Sequence, residues 1–386
     1  MKSNWKVNTK LNHPPQIELK PGNRPLLSPV YHSAKFTPSE DYPFWDQYLY
    51  GRVSNPTTRQ LELSLADLQN KQDCIVVSSG IAAITGVFLA LLKSNDHIIS
   101  FKELYKPSRL FIKEHLSKFG IENTILSLSE SADLEKFIIP GKTKLIHFES
   151  PTNPTLAVAD IEWILKVAKK HNVLVSMDGT FAGLHQHTHF DIDIMIHSLT
   201  KYANGHGDVI AGSIAGGKDL IGKIREMCIY LGATIDPQTS NLISRGLKTY
   251  MLRYERQTQS AMAIADYLSK HSKIKRVFYP GLKTHAGYEL AQKQMKDMGG
   301  IISFEVDESL GPAERICHQF KLIQLTASVG STESIICPTL FFFGQDLSLE
   351  DRESLGITPY TLRLSIGLED ASDLIQDLES VLNGIN

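Results

Sequence analysis

The chain has 386 residues, and its 40 Lys and Arg against 42 Asp and Glu give a net charge of −2. That length accommodates one large α/β unit with a smaller second one, and the lack of a positive field argues against nucleic acid or an anionic membrane as partner. Hydrophobic residues at 42% and charged residues at 21% describe an ordinary globule and exclude the signature of disorder.

The first fifty residues carry prolines (Pro14, Pro15, Pro21, Pro25, Pro29) and aromatics (Tyr42, Phe44, Trp45) without helical or strand period, so they are expected to form an extended arm laid on another surface. From Thr57, Leu61, Leu65 and Leu68 recur at helical spacing. Cys74–Val77 reads as a strand, Ser78-Ser79-Gly80 as a turn, and Ile81–Leu92 as a buried helix too short to cross a bilayer. Lys144–Phe148 reads as the next strand, Asp160 as the cap of a helix carrying Ile161, Ile164, Leu165 and Val167, and Val173–Met177 as a further strand. Ile192–Ile196 and Val209–Ile214 extend the series. Strands alternating with helices predict an α/β fold with a mostly parallel sheet covered on both faces. Beyond Arg245 a long helical stretch runs to about Ser272, and Gly300–Val306 and Tyr360–Ile366 read as strands of a smaller α+β unit. The amino terminus lacks the apolar core of a signal peptide, and Cys74, Cys228, Cys317 and Cys337 are scattered without a Cys-x-x-Cys pair; a reducing cytoplasm is the expected compartment.

In such sheets ligands gather where strands end. Ser79, Gly80 and Ile81 follow the first of these strands, Glu149 to Pro154 the second, Asp178-Gly179-Thr180 the third, and Ser198-Leu199-Thr200-Lys201 the fourth. Backbone N–H groups at a helix start cradle an anion, with Ser198 and Thr200 adding hydroxyls. Asp178 supplies an acid and Lys201 an amine, a set that suits pyridoxal 5′-phosphate: the lysine bonds to the aldehyde, the acid keeps the ring nitrogen protonated, and the cradle holds the phosphate.

Over residues 26 to 384 the chain resembles the pyridoxal-phosphate enzymes of cysteine and methionine metabolism. The blocks that carry the resemblance are Tyr50 to Thr57, Ser79-Gly80, Glu149 to Pro154, Asp178 to Phe181, Ser198 to Tyr202 with Gly205, His206 and Asp208, Arg245 to Thr249, Ser328 to Gly330 with Glu333-Ser334, and Arg363 to Glu369. The resemblance implies a fold-type I transferase: an arm over 1–50, a cofactor-binding large domain over 51–245, and a small domain over 246–386. It further implies that Lys201 holds the cofactor and shuttles protons, that Asp178 pairs with the ring nitrogen, and that Tyr105 stacks on the ring and assists deprotonation of the substrate amine. Tyr50 and Arg52 would reach the phosphate of a neighbouring subunit within a homotetramer, a dimer of dimers. Asn153, Ser328 and Arg363 match the positions that hold the substrate α-carboxylate.

Within the family the plant-type cystathionine γ-synthases are the nearer likeness, through Gly179, the run YKPSRLFI from Tyr105 to Ile112, Tyr279 to Leu282, and Asp351-Arg352 with Gly356-Ile357. Pro107 departs from the lysine usual in that branch, and Thr339 to Phe343 replaces a more polar stretch. The expected reaction is γ-replacement on an activated homoserine ester, with cysteine as nucleophile and cystathionine as product. The rival is elimination by a cystathionine or methionine γ-lyase, and a non-enzymatic scaffold is the third reading. Ala327, small where some lyases carry glutamate, leans towards the synthase, as does Pro107. With Lys106 and Arg109 left as cations in the tyrosine loop, an acylated donor is preferred over a phosphorylated one. The alternating His185, His187 and His189 are read as a surface loop rather than a metal site, and Phe341 to Phe343 as core or subunit contact.

Overall fold

The computed structural model describes residues 4–15 and 25–384. Asn55 starts the first long helix: its side chain accepts the Thr57 N–H, and Pro56 brings a preset φ to the first position of Pro56–Leu68. Seven strands follow: β1 (Asp73–Val77), β2 (His97–Phe101), β3 (Glu122–Leu126), β4 (Thr143–Glu149), β5 (Leu174–Asp178), β6 (Ile194–Ser198) and β7 (Gly212–Gly216). They form one sheet in the order β1-β7-β6-β5-β4-β2-β3, parallel except for β7, which runs against both of its neighbours.

Alternate residues of β1 feed two cores. Cys74 and Val76 pack with Leu61, Leu65, Ile164 and Ile243 on one face, while Ile75 and Val77 pack with Ile84, Val87 and Ile221 on the other. That double coverage is why the strands read as apolar runs rather than as an alternating pattern.

The second sheet contains β8 (Ile274–Phe278), β9 (Ile301–Val306), β10 (Gln324–Leu325), β11 (Ile335–Pro338) and β12 (Thr361–Ser365) in the order β10-β11-β12-β9-β8. The helices Tyr250–Lys270 and Ala371–Leu382 cover it through Ile264, Leu268, Leu374 and Leu378, which pack on Phe304, Leu362 and Leu364. Because side chains alternate along β12, Arg363 faces away from this core. A partner of Arg363 on the neighbouring strand, Ser303, gives its hydroxyl proton to Pro154 O at 2.6 Å, so this face of the small sheet meets the loop after β4.

Several expectations change. The arm is not wholly irregular: Val7–Asn12 is helical and buries Leu11 with Leu61 and Leu65. Its sequence VNTKLN has too few apolar residues to show a period. Pro21 lies outside the described residues. The helical stretch after Arg245 is two helices, Pro237–Leu247 and Tyr250–Lys270, parted at Lys248-Thr249. His185 and His187 are buried rather than on a surface loop, with His185 Nδ1 bonded to Tyr250 Oη at 2.8 Å; only His189 is exposed.

Candidate active site

The reversed strand β7 creates the crevice. It slots between β1 and β6, and the turns that leave β1, β4, β5 and β6 converge on one cavity of about 630 Å³. Ser79, Gly80, Ile81, Tyr105, Asn153, Asp178, Thr180, Ser198, Thr200, Lys201, Ser328 and Arg363 all line it. Tyr50 and Arg52 do not: both are exposed where the arm meets the large unit, with the Arg52 guanidinium 5.4 Å from the Tyr50 ring centre.

One wall suits an anion. Ser79 Oγ accepts the Ala82 N–H at 3.1 Å and so starts the helix Gly80–Leu91, whose first-turn N–H groups at Gly80 and Ile81 have no intrahelical acceptor. The turn fits only because two glycines let it close. A Cβ on Gly80 would lie 2.9 Å from Ser198 Cβ, and one on Gly212 would lie 2.3 Å from Ser79 O.

The floor carries two acids side by side. Glu149 and Asp178 are register partners across β4 and β5. Glu149 Oε1 accepts from Tyr105 N at 2.6 Å, and Asp178 Oδ1 accepts from Thr180 N at 2.9 Å and Thr180 Oγ1 at 2.5 Å, all neutral donors. Burial pushes both carboxyls up, and the Asp178 charge adds to the rise at Glu149, while Arg109 opposes it there and Thr180 opposes it at Asp178. A protonated ring nitrogen placed between the walls would add positive charge beside Asp178.

Opposite stands the amine. Lys201 Nζ donates to Ser328 Oγ at 2.7 Å, and burial with the nearby Arg363 charge lowers its pKa to about 8. Ser328 holds φ at +110°, a backbone state that L residues seldom adopt and that tends to occur at functional sites. Its carbonyl accepts from Arg363 Nη2 at 2.9 Å, while Arg363 Nη1 donates to Asn153 Oδ1 at 2.7 Å. Arg363 is buried, and its Nε–H has no acceptor among the described residues. A buried guanidinium with a donor to spare is suited to a carboxylate. Cradle, acids and amine together fit pyridoxal phosphate, and the guanidinium beyond them fits an amino acid.

Some lining residues were not singled out from sequence as site residues. Glu149 stood among the residues at the strand ends, but its neighbour Asp178 was given the cofactor. Phe342 and Phe343 line the cavity, against the expectation of core or subunit contact, and the Phe343 ring centre lies 4.4 Å from the Arg363 guanidinium. Phe181 covers the same guanidinium at 5.6 Å. Arg109 does not line the cavity: both its ends are taken by Asp346 and backbone carbonyls, which leaves Lys106, beside Pro107, as the cation of the tyrosine loop at the wall. Burial and Glu149 push the Tyr105 phenol up, so its hydroxyl stays protonated at neutral pH.

Residues 15–383 match the family described as Cys/Met metabolism PLP-dependent enzyme. An L-methionine γ-lyase of Fusobacterium nucleatum subsp. nucleatum is 39% identical over 88% of this chain and 87% of its own length. A chloroplastic cystathionine γ-synthase of Arabidopsis thaliana is 38% identical over 87% of this chain and 60% of its own length. Among solved structures, metB from Corynebacterium glutamicum superposes with a TM-score of 0.92 at 31% identity, covering 100% of both chains.

Proposed function

We propose that this chain, which belongs to the Cys/Met metabolism PLP-dependent enzyme family, catalyses γ-replacement: a thiol, cysteine, displaces the ester group of an activated homoserine and cystathionine is released. One observation carries the reading. Ser328 binds Lys201 through its hydroxyl and Arg363 through its carbonyl, so an amino acid anchored on Arg363 presents its Cα–H to the lysine.

Pyridoxal phosphate supplies, when bound, the electron sink that stabilises negative charge next to the substrate nitrogen. The chain supplies the rest. The N–H groups of Gly80 and Ile81, with the Ser198 and Thr200 hydroxyls, would hold the phosphate; Asp178 would keep the ring nitrogen protonated; Tyr105 would cover the ring. Lys201 would hold the cofactor and move protons at Cα and Cβ of the substrate, while the ester group leaves from Cγ and the thiol takes its place. The Lys201 amine is poised for this because burial and Arg363 bring its pKa to about 8, where both proton uptake and release are accessible near neutral pH. Asn153 fixes the Arg363 fork, which with Ser328 orients the α-carboxylate. Phe342, Phe343 and Pro107 give the cavity an apolar wall, which suits a thiol nucleophile.

The γ-lyase reading also has an observation behind it, since the same apolar wall accommodates a thioether such as methionine, the substrate named for the Fusobacterium relative. Incubation with cysteine and each of the acetyl, succinyl and phospho esters of homoserine, with products identified by mass, separates the two. Cystathionine should form from an acyl ester faster than from the phosphoester, because Arg109 is engaged and Lys106 is the one loop cation at the wall. Ammonia and 2-oxobutanoate as the main products from methionine or cystathionine, without replacement, would make the chain a lyase.

The active protein is proposed to be a cytoplasmic homotetramer in which Tyr50 and Arg52 serve a neighbouring subunit; their exposure and their absence from the lining of their own cavity support this. Mixing Arg52→Ala chains with Lys201→Ala chains should therefore restore part of the activity, since a hybrid regains one intact site. A demonstrated hybrid with no recovery would count against sharing.

A further inference from the structure

Arg109 is buried and consumed. Its Nη1 donates to the carbonyls of Lys102 and Leu104, both at 2.7 Å, while Nε and Nη2 meet the two oxygens of Asp346 at 2.8 Å each. Nη2 also reaches Phe343 O at 3.2 Å. One guanidinium thus joins the base of the tyrosine loop to the turn Leu340–Gly344 and the segment after it. Lys102 Nζ adds a second tie to Asp351 Oδ1 at 2.6 Å, and Arg352 Nε grips the far end of the turn through Gly344 O at 2.8 Å. Burial alone would push the Asp346 carboxyl up, but the Arg109 fork outweighs it and holds the group below the usual range, so the pair stays charged.

What this frame holds still is Phe343. Its backbone is held by Arg109, and its ring lies on the guanidinium of Arg363. An aromatic face against a guanidinium attracts it and blocks one direction of swing. We propose that Arg109 and Asp346 are positioning residues for substrate binding, acting through Phe343 to keep the Arg363 guanidinium in the orientation in which it meets the α-carboxylate. The inference rests on the assignment of that carboxylate to Arg363 under Proposed function.

The test uses the holoenzyme and two non-reacting ligands, norleucine and its carboxylate-free counterpart pentylamine, with binding read from the change in cofactor absorption. Asp346→Asn should weaken norleucine about tenfold and pentylamine less than about twofold, as expected when one charged contact is misaligned and the rest of the site is kept. Asp346→Glu should recover most of the loss, and Phe343→Leu, which leaves the ion pair intact, should reproduce it even if Asp346→Asn folds poorly. Adding Asp346→Asn to Arg363→Ala should cause no further discrimination between the ligands. An Arg363→Ala protein that discriminates, beside Asp346→Asn and Phe343→Leu proteins that do not, would overturn the positioning role alone. Equal weakening of both ligands in Arg363→Ala would overturn the assignment of Arg363 and the positioning role with it.

Discussion

Lys201→Ala should abolish covalent attachment of the cofactor and lower kcat by about a thousandfold or more, the loss expected when the group that moves protons is removed from an otherwise intact site. Borohydride reduction of the wild-type protein followed by peptide mapping should place the pyridoxyl group on Lys201. Label on another lysine would end the assignment. The lowered pKa gives a second measurement. The neutral amine attacks the aldehyde, and at pH 7 an amine with pKa about 8 is about 10% neutral, against about 0.03% for an ordinary lysine. Covalent capture of pyridoxal phosphate by the apoprotein should accordingly accelerate as pH rises and level off above about 8. In Arg363→Ala that midpoint should move to higher pH, because a neighbouring cation that disfavours the protonated amine is gone. A capture rate that keeps rising to pH 10 in the wild type would show that burial does not depress this lysine.

The parts of the site that could be read from sequence are those fixed by local chain direction. A β-branched run ending in Ser79-Gly80 announces a strand, a turn and a helix start, and the set at Asp178 and the set at Lys201 follow strands in the same way. Contacts made between distant segments left no such mark. Arg109 and Asp346 are separated by 237 positions, and nothing local to either indicates that the arginine is spent on the aspartate rather than free for a leaving group. Phe343 carried an apolar signal that equally describes core, and its place over Arg363 depends on how the turn after β11 meets β12. The strands β2 and β3 were not delimited, although His97–Phe101 is buried throughout. Polar members such as His97 and Ser100 interrupt the apolar run, and His97 is satisfied inside by Thr143 and Thr124 at 2.8 and 2.9 Å. The histidines at 185 and 187 differ for the converse reason: lying between two strands without a carboxylate-rich frame, they suggest a surface loop, whereas both are buried, His185 edge-on against Tyr250 and Tyr254 and His187 beside Phe190.

Arg363→Ala should cost about 3 kcal/mol in transition-state stabilisation, near a 150-fold fall in kcat/KM, while leaving the spectrum of the bound cofactor unchanged. The size follows from what the side chain holds. It is buried, charged and fixed by Asn153 Oδ1 and Ser328 O, so it meets a carboxylate without first being ordered. The cofactor should be spared because the contacts proposed for it, at Ser79 to Ile81, Asp178 and Lys201, belong to the large sheet and its turns, whereas Arg363 comes from β12 of the small one. Arg363→Lys should recover only a minor part of the loss, since an ammonium cannot bond Asn153, Ser328 and a carboxylate in one plane. The fall should appear mainly in KM for the amino acid if the carboxylate contact is equal in ground and transition states. It should appear in kcat as well if the contact also aligns Cα–H with Lys201, the outcome expected from the bridge that Ser328 makes between them. Wild-type kinetics in Arg363→Ala would remove this residue from substrate binding, and with it the reason for Phe343 to cover it.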